Sequence, residues 1–173
     1  MLSARMQEEL NKQINAEIWS AYLYLSMNAY FSSKSLNGFA GWMKVQAMEE
    51  MTHAMKLYDY VNERSGRIKL TAIDGPPTEW ASPAATFDET LKHEQKVTGM
   101  INNLVNLAIS ESDHATNNML QWFVKEQVEE EANASEILDQ LKLIKDDPNA
   151  LLMLDRELGT RMFVDETAKK GEA

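Results

Sequence analysis

The sequence predicts an all-α protein: a four-helix bundle with a long crossover between the second and third helices and a short fifth helix near the C-terminal end. Three observations carry that reading. Mostly apolar stripes recur at three- and four-residue spacing through four long stretches, as in Phe123, Gln127, Glu130, Ala134, Ile137 and Leu141, of which two are polar. Capping residues and prolines mark where each stretch begins and ends. No segment reads as a convincing strand.

The first helix is expected from about Ser3, a good N-cap, to Ser33, and the second from about Leu36 to Ser65 with Gly66 just past its end. The short Lys34 to Asn37 link makes these two antiparallel neighbours. Residues 66–82 contain Asp74-Gly75-Pro76-Pro77, which cannot be helical throughout, and the length suits a crossover. The third helix opens at Ser82-Pro83, a cap followed by proline at the first helical position, and runs to about Glu111. Gly99 inside it costs about 1 kcal/mol relative to alanine and is read as a mark of close packing. The fourth helix spans about Asp113 to Lys145. A second capped start, Asp147-Pro148, opens the fifth helix, whose Ala150, Leu151, Leu154 and Leu158 form an apolar face that a complete four-helix bundle would leave uncovered. A neighbouring subunit is the expected cover. Residues 1–163 read as a single domain and residues 164–173 as a polar, disordered tail.

At 173 residues the chain is large enough for one real core and too short to suggest two domains. It has no cysteine, so disulfides, thiolate metal sites and cysteine nucleophiles are excluded. With 27 acidic against 17 basic residues the formal charge is −10, which disfavours nucleic acid and anionic membranes and attracts cations. No charged leader with an apolar core follows the first methionine, and no apolar run approaches the roughly 20 residues that span a bilayer. The expected compartment is the cytoplasm.

The apolar stripes are interrupted, and the interruptions point to a metal. The first stripe runs Leu10, Ile14, Glu17, Ala21, Tyr24, Asn28; the second Phe39, Met43, Gln46, Glu50, His53, Leu57, Tyr60; the third Phe87, Leu91, Glu94, Thr98, Ile101, Val105. Each of the four stripes places one glutamate on the core face. Burying several ionised carboxylates costs several kcal/mol per ion, and a bound cation compensates. In antiparallel pairs, residues equally far from the connecting turn lie level: Glu94 is about 17 residues before the end of its helix and Glu130 about 17 after the start of the next, and Glu17 and Glu50 are likewise level. The four glutamates therefore converge on one slab, where bundles build di-metal carboxylate sites. Glutamates with one imidazole suit iron(II), manganese or zinc. Glu50 can bridge, Glu17 and His53 complete one position, and Glu94 with Glu130 the other; Gln127 can coordinate weakly or hydrogen-bond a bound oxygen species.

Glu17, Glu50 with His53, Glu94, the run Glu126-Gln127-Val128-Glu129-Glu130-Glu131 and the preceding Leu120-Gln121-Trp122-Phe123 resemble the non-haem ferritins of bacteria and archaea, over Leu2 to about Arg161. The resemblance implies a ferritin-like bundle, a di-iron ferroxidase centre in each subunit, oxidation of iron(II) by dioxygen or hydrogen peroxide, and ferric mineral stored in a hollow homo-oligomer of 24 subunits. It also implies a third iron site of Glu49, Glu126, Glu129 and Glu130, an electron-supplying role for Tyr24, and a matching place for Trp122. A rubrerythrin-like di-iron oxidoreductase is the alternative, although its four-cysteine module is absent. Haem is not expected: a bacterioferritin centre needs a second histidine where Glu130 stands. His93 and His114 read as surface histidines, and Met48, Met51 and Met55 as core and interface filler. The acidic pair that lines three-fold pores in animal ferritins falls at Asn117 and Leu120, which leaves the route of iron uptake open.

Overall fold

The computed structural model describes residues 1–145 and 147–165. Five helices form in chain order: α1 (Ala4–Ser33), α2 (Asn37–Glu63), α3 (Pro83–Ser110), α4 (His114–Ile144) and α5 (Pro148–Leu158), with no strand among the described residues. The expected tail beyond Asp165 lies outside the described residues.

Local chemistry sets the helix starts. Ser3, Ser82 and Asp113 each accept a hydrogen bond from a backbone N–H of the first turn, as does Asp147, and Pro83 and Pro148 occupy first-turn positions where a missing N–H is harmless. The helix ends differ from the expectation at Gly66. The left-handed residue that closes α2 is Ser65, with φ 55°, and Gly66 N–H reaches back to Val61 O at 2.8 Å. The same pattern of paired back-bonds closes α1 at Ser35 and α3 at Ser112. Serine pays a steric penalty at these positions that glycine would not.

α1 packs along α2 and α3 along α4, forming two antiparallel hairpins. The crossover, residues 64–82, runs back along α1 and is stitched to it by amide side chains four residues apart. Arg67 N–H donates to Gln7 Oε1 at 2.8 Å, Lys69 N–H to Asn11 Oδ1 at 2.6 Å, and Asn15 donates to Thr71 Oγ1 at 2.9 Å. These bonds pin a segment without secondary structure to α1 and satisfy two of its backbone N–H groups.

α5 corrects the sequence reading. Leu154 and Leu158 are buried against the bundle's own aromatic end, in a cluster with Phe31, Phe39 and Trp42, so this apolar face is covered within the chain. The helix turns back onto α2 at Gly38, where a Cβ would lie 1.5 Å from Asp155 O. Asp155 Oδ1 accepts from Gly38 and Phe39 N–H at 2.8 and 3.0 Å, capping α2 from outside because Leu36 provides no side-chain cap. One further expectation fails. A Cβ on Gly99 would meet nothing within 4 Å, so close packing does not explain that glycine. Met48, Met51 and Met55 are 41%, 42% and 45% exposed, so of the core and interface roles expected for them the single chain leaves the interface.

The core is divided. One apolar cluster gathers Tyr24, Phe31, Phe39, Phe87 and Leu138 at the α5 end. The other gathers Leu10, Ile14, Leu57, Ile101 and Phe123 at the opposite end. Between them lies a layer of buried polar side chains drawn from all four long helices.

Candidate metal centre

That layer contains Glu17 from α1, Glu50 and His53 from α2, Glu94 from α3, and Gln127 and Glu130 from α4, none more than 7% exposed. Three- and four-residue spacing brings Glu50 and His53 onto one face of α2, with His53 Nδ1 3.6 Å from Glu50 Oε2. One ligand atom from each of Glu17, Glu50 and His53 lies within 4.8 Å of the others. Such convergence of a hard oxygen pair with one imidazole can hold a divalent ion.

Glutamine side chains orient the carboxylates. Gln13 donates to Glu17 Oε1 at 2.8 Å, while the buried Glu17 Oε2 receives no hydrogen bond among the described residues. Gln46 donates to Glu130 Oε2 at 2.6 Å and, more weakly, to Glu50 Oε1 at 3.4 Å. Gln127 donates to Glu94 Oε2 at 3.2 Å, and Tyr24 Oη donates a short hydrogen bond to Glu94 Oε1. Gln13 and Gln46 were missed as site residues, yet both stand four residues before a core glutamate, the spacing at which helix neighbours meet.

Electrostatics fit a site built for cations. Burial pushes the Glu17 carboxyl up to about 8, and the charge of Glu50 adds to it. Glu94 is likewise pushed up to about 8 by burial and by Glu50. Glu50 and Glu130 are raised in the same direction, by burial first and then by neighbouring carboxylates. Tyr24 is held well above its ordinary value by burial and by Glu94, so its phenol stays protonated. A cation that replaced these protons would relieve both causes at once, and the Glu17 oxygen without a donor offers a free lone pair.

A pocket of about 40 Å³ opens beside this layer, lined among others by Glu49, Glu126, Glu129, Glu130, His53 and Trp122. That volume suits an ion with a water rather than an organic substrate. The four glutamates implied as a third site thus line one pocket, Glu129 from its exposed side and Glu126 from a buried one. Trp122 packs edge-on against the His53 ring at 5.4 Å, with Lys56 Nζ 4.4 Å from the Trp122 ring centroid. Arg161, which the sequence reading left unassigned, reaches the same pocket.

His93 is not the surface residue expected. Its Nε2 lies 2.7 Å from Ser20 Oγ, and its ring packs against Trp19 and Tyr24 at 5.3 and 6.0 Å. Burial, with Lys96 nearby, lowers its imidazole to about 4, so it stays neutral. The 100° offset from Glu94 turns it towards α1, which leaves it half-buried. His114 is exposed as expected, and Leu120 is fully buried in the core.

Comparison with known proteins gives a consistent set of relatives. A family model described as a ferritin-like domain matches residues 7–144. The chain is 44% identical over 161 residues to the bacterial non-heme ferritin of Bacteroides fragilis (strain 638R), covering 93% of this chain and 100% of that protein. It is 41% identical over 166 residues to the bacterial non-heme ferritin of Staphylococcus aureus (strain MRSA252), covering 96% and 100%. Among solved structures, an open pore ferritin from the hyperthermophilic archaeon Archaeoglobus fulgidus superposes with a TM-score of 0.93 at 56% identity, covering 94% of this chain and 100% of that one.

Proposed function

The chain belongs to the ferritin family, and from that premise we propose that it stores iron by oxidising iron(II) at a paired-metal centre within each subunit. The observation that carries the site assignment is the buried convergence of Glu17, Glu50 and His53, extended by Glu94 and Glu130. Iron is the substrate. Glu17 and His53 hold one ion, Glu94 and Glu130 the other, and Glu50 lies between them. Two iron(II) ions each give up one electron, and the pair reduces dioxygen to hydrogen peroxide or hydrogen peroxide to water. The chain's part is to bring the two ions together and to accept and release protons at the carboxylates as they come and go.

Gln127 and Gln46 keep the second position less charged than a fully carboxylate set, so it binds its iron more loosely. Tyr24, hydrogen-bonded to Glu94, is placed to supply an electron to the centre. Glu49, Glu126, Glu129 and Glu130 form a third position through which ferric product leaves for the mineral. Residues 1–163 act as one domain, and 24 copies enclose the mineral in a cytoplasmic cage. No helix among the described residues is long and apolar enough to cross a membrane.

The test is the initial rate of iron(II) oxidation, followed by absorbance of the ferric product. Glu17→Ala and His53→Ala should each slow it by roughly ten- to hundredfold, the usual cost of disturbing a metal ligand set. Parent-like rates in both variants would sink the assignment. Tyr24→Phe should bind the same number of ions and oxidise them more slowly.

A further inference from the structure

The acidic pocket beside the paired carboxylates takes in a guanidinium, Arg161, that comes from beyond the last helix. Arg161 stands three residues past the end of α5. Its Nη2 pairs with Glu49 Oε2 at 2.5 Å, its Nη1 donates to Gln46 Oε1 at 2.8 Å, and its guanidinium carbon lies 4.4 Å from the Trp42 ring centroid. The Arg161 and Glu49 side chains are only 21% and 19% exposed. Trp42, Gln46 and Glu49 lie on one face of α2, so the planar cation is stacked on an indole and forked between two acceptors a turn apart. This is a built seat rather than a passing surface contact.

Glu49 is also one of the four carboxylates of the pocket. A guanidinium and a divalent ion draw on the same oxygen, and two cations at that separation repel. We propose that Arg161 is an internal counter-cation that competes with metal for the third position, so that the C-terminal segment sets how tightly that position binds. The inference rests on the reading of the third position given above. In the metal-free protein Arg161 neutralises Glu49 and fixes the Gln46 amide so that its N–H groups face Glu130 and Glu50. An ion at the third position must first displace Nη2 from Glu49. The position therefore fills after the pair and empties readily, as suits a place of transit.

The test uses zinc(II), which does not change oxidation state, on the assembled metal-free protein, with calorimetry giving the number and affinity of sites per subunit. Arg161→Gln should tighten the weakest class of sites by roughly fivefold, the worth of a part-exposed ion pair. Adding Glu49→Gln to that variant should abolish the gain. A parent with two sites and an Arg161→Gln variant with three would also support the proposal. Three sites in both with no gain in affinity would overturn it alone. Two sites in both would overturn it together with the third-position reading. Crystals of the unaltered protein soaked in zinc(II) give a second measurement independent of any variant. Metal density at Glu49 with Arg161 withdrawn beyond 4 Å supports the proposal; density with the Arg161–Glu49 pair intact, or no density there, overturns it.

Discussion

At the scale of single residues, burial favours the protonated form of the four core glutamates, and on the proposed function a metal would replace those protons. Glu17 and Glu94 stay protonated up to about pH 8 because burial disfavours their charge. Metal uptake near neutrality must therefore expel protons. Calorimetry at about pH 7 in buffers of different ionisation enthalpy should record net proton release, and affinity should fall as the pH drops from about 8 towards 6. In the metal-free protein the linkage to folding has the opposite sense. Unfolded glutamates ionise near 4.5 and these folded ones near 8, so the folded state holds more protons between those values. The stability they contribute is complete below about pH 4.5 and lost as the pH rises through about 8. The denaturation midpoint of the metal-free protein should fall across that window and recover on adding zinc(II); a midpoint that rises would contradict the protonated carboxylates.

At the scale of elements, the two glycines of opposite character make the sharpest comparison. Gly38 is where α5 comes closest to α2, and a methyl group there would collide with the backbone of Asp155. Gly38→Ala should cost about 2 kcal/mol or more, because backbone rather than a flexible side chain must move. Gly99 faces open space on α3, so Gly99→Ala should stabilise by up to about 1 kcal/mol through helix propensity alone. Thermal unfolding of the two variants side by side checks both signs. The sequence reading identified a glycine inside a helix at Gly99 but not its surroundings, and it passed over Gly38 because nothing local marks a residue that matters only for a contact 117 positions away. Starts of helices were readable because a cap acts on its own first turn. The cap supplied to α2 by Asp155 was not, since it comes from another helix.

At the scale of the whole molecule, a layer of buried polar side chains splits the core in two. The two apolar clusters supply the folding energy, and the layer between them gives some of it up to hold the site. Leu152 and Met153 remain 50% and 72% exposed on α5, and Met48, Met51 and Met55 line α2, so the chain presents apolar surface for its own copies. Gel filtration of the purified protein should give a particle of several hundred kDa. Elution near 20 to 40 kDa would exclude a cage.

The sequence by itself determined the helices, their antiparallel pairing and the slab of glutamates, because helical period and turn-to-turn register are set by backbone geometry and depend on residues close in the chain. It also brought Glu17, Glu50, His53, Glu94 and Glu130 to one level without coordinates. Only the tertiary structure decided what surrounds them. It placed Gln46 against Glu130, packed His93 half-buried against α1, folded α5 onto its own bundle and carried Arg161 to Glu49. Each of these depends on contacts between segments far apart in sequence, and side-chain direction across such a gap is fixed by packing, which no local pattern records.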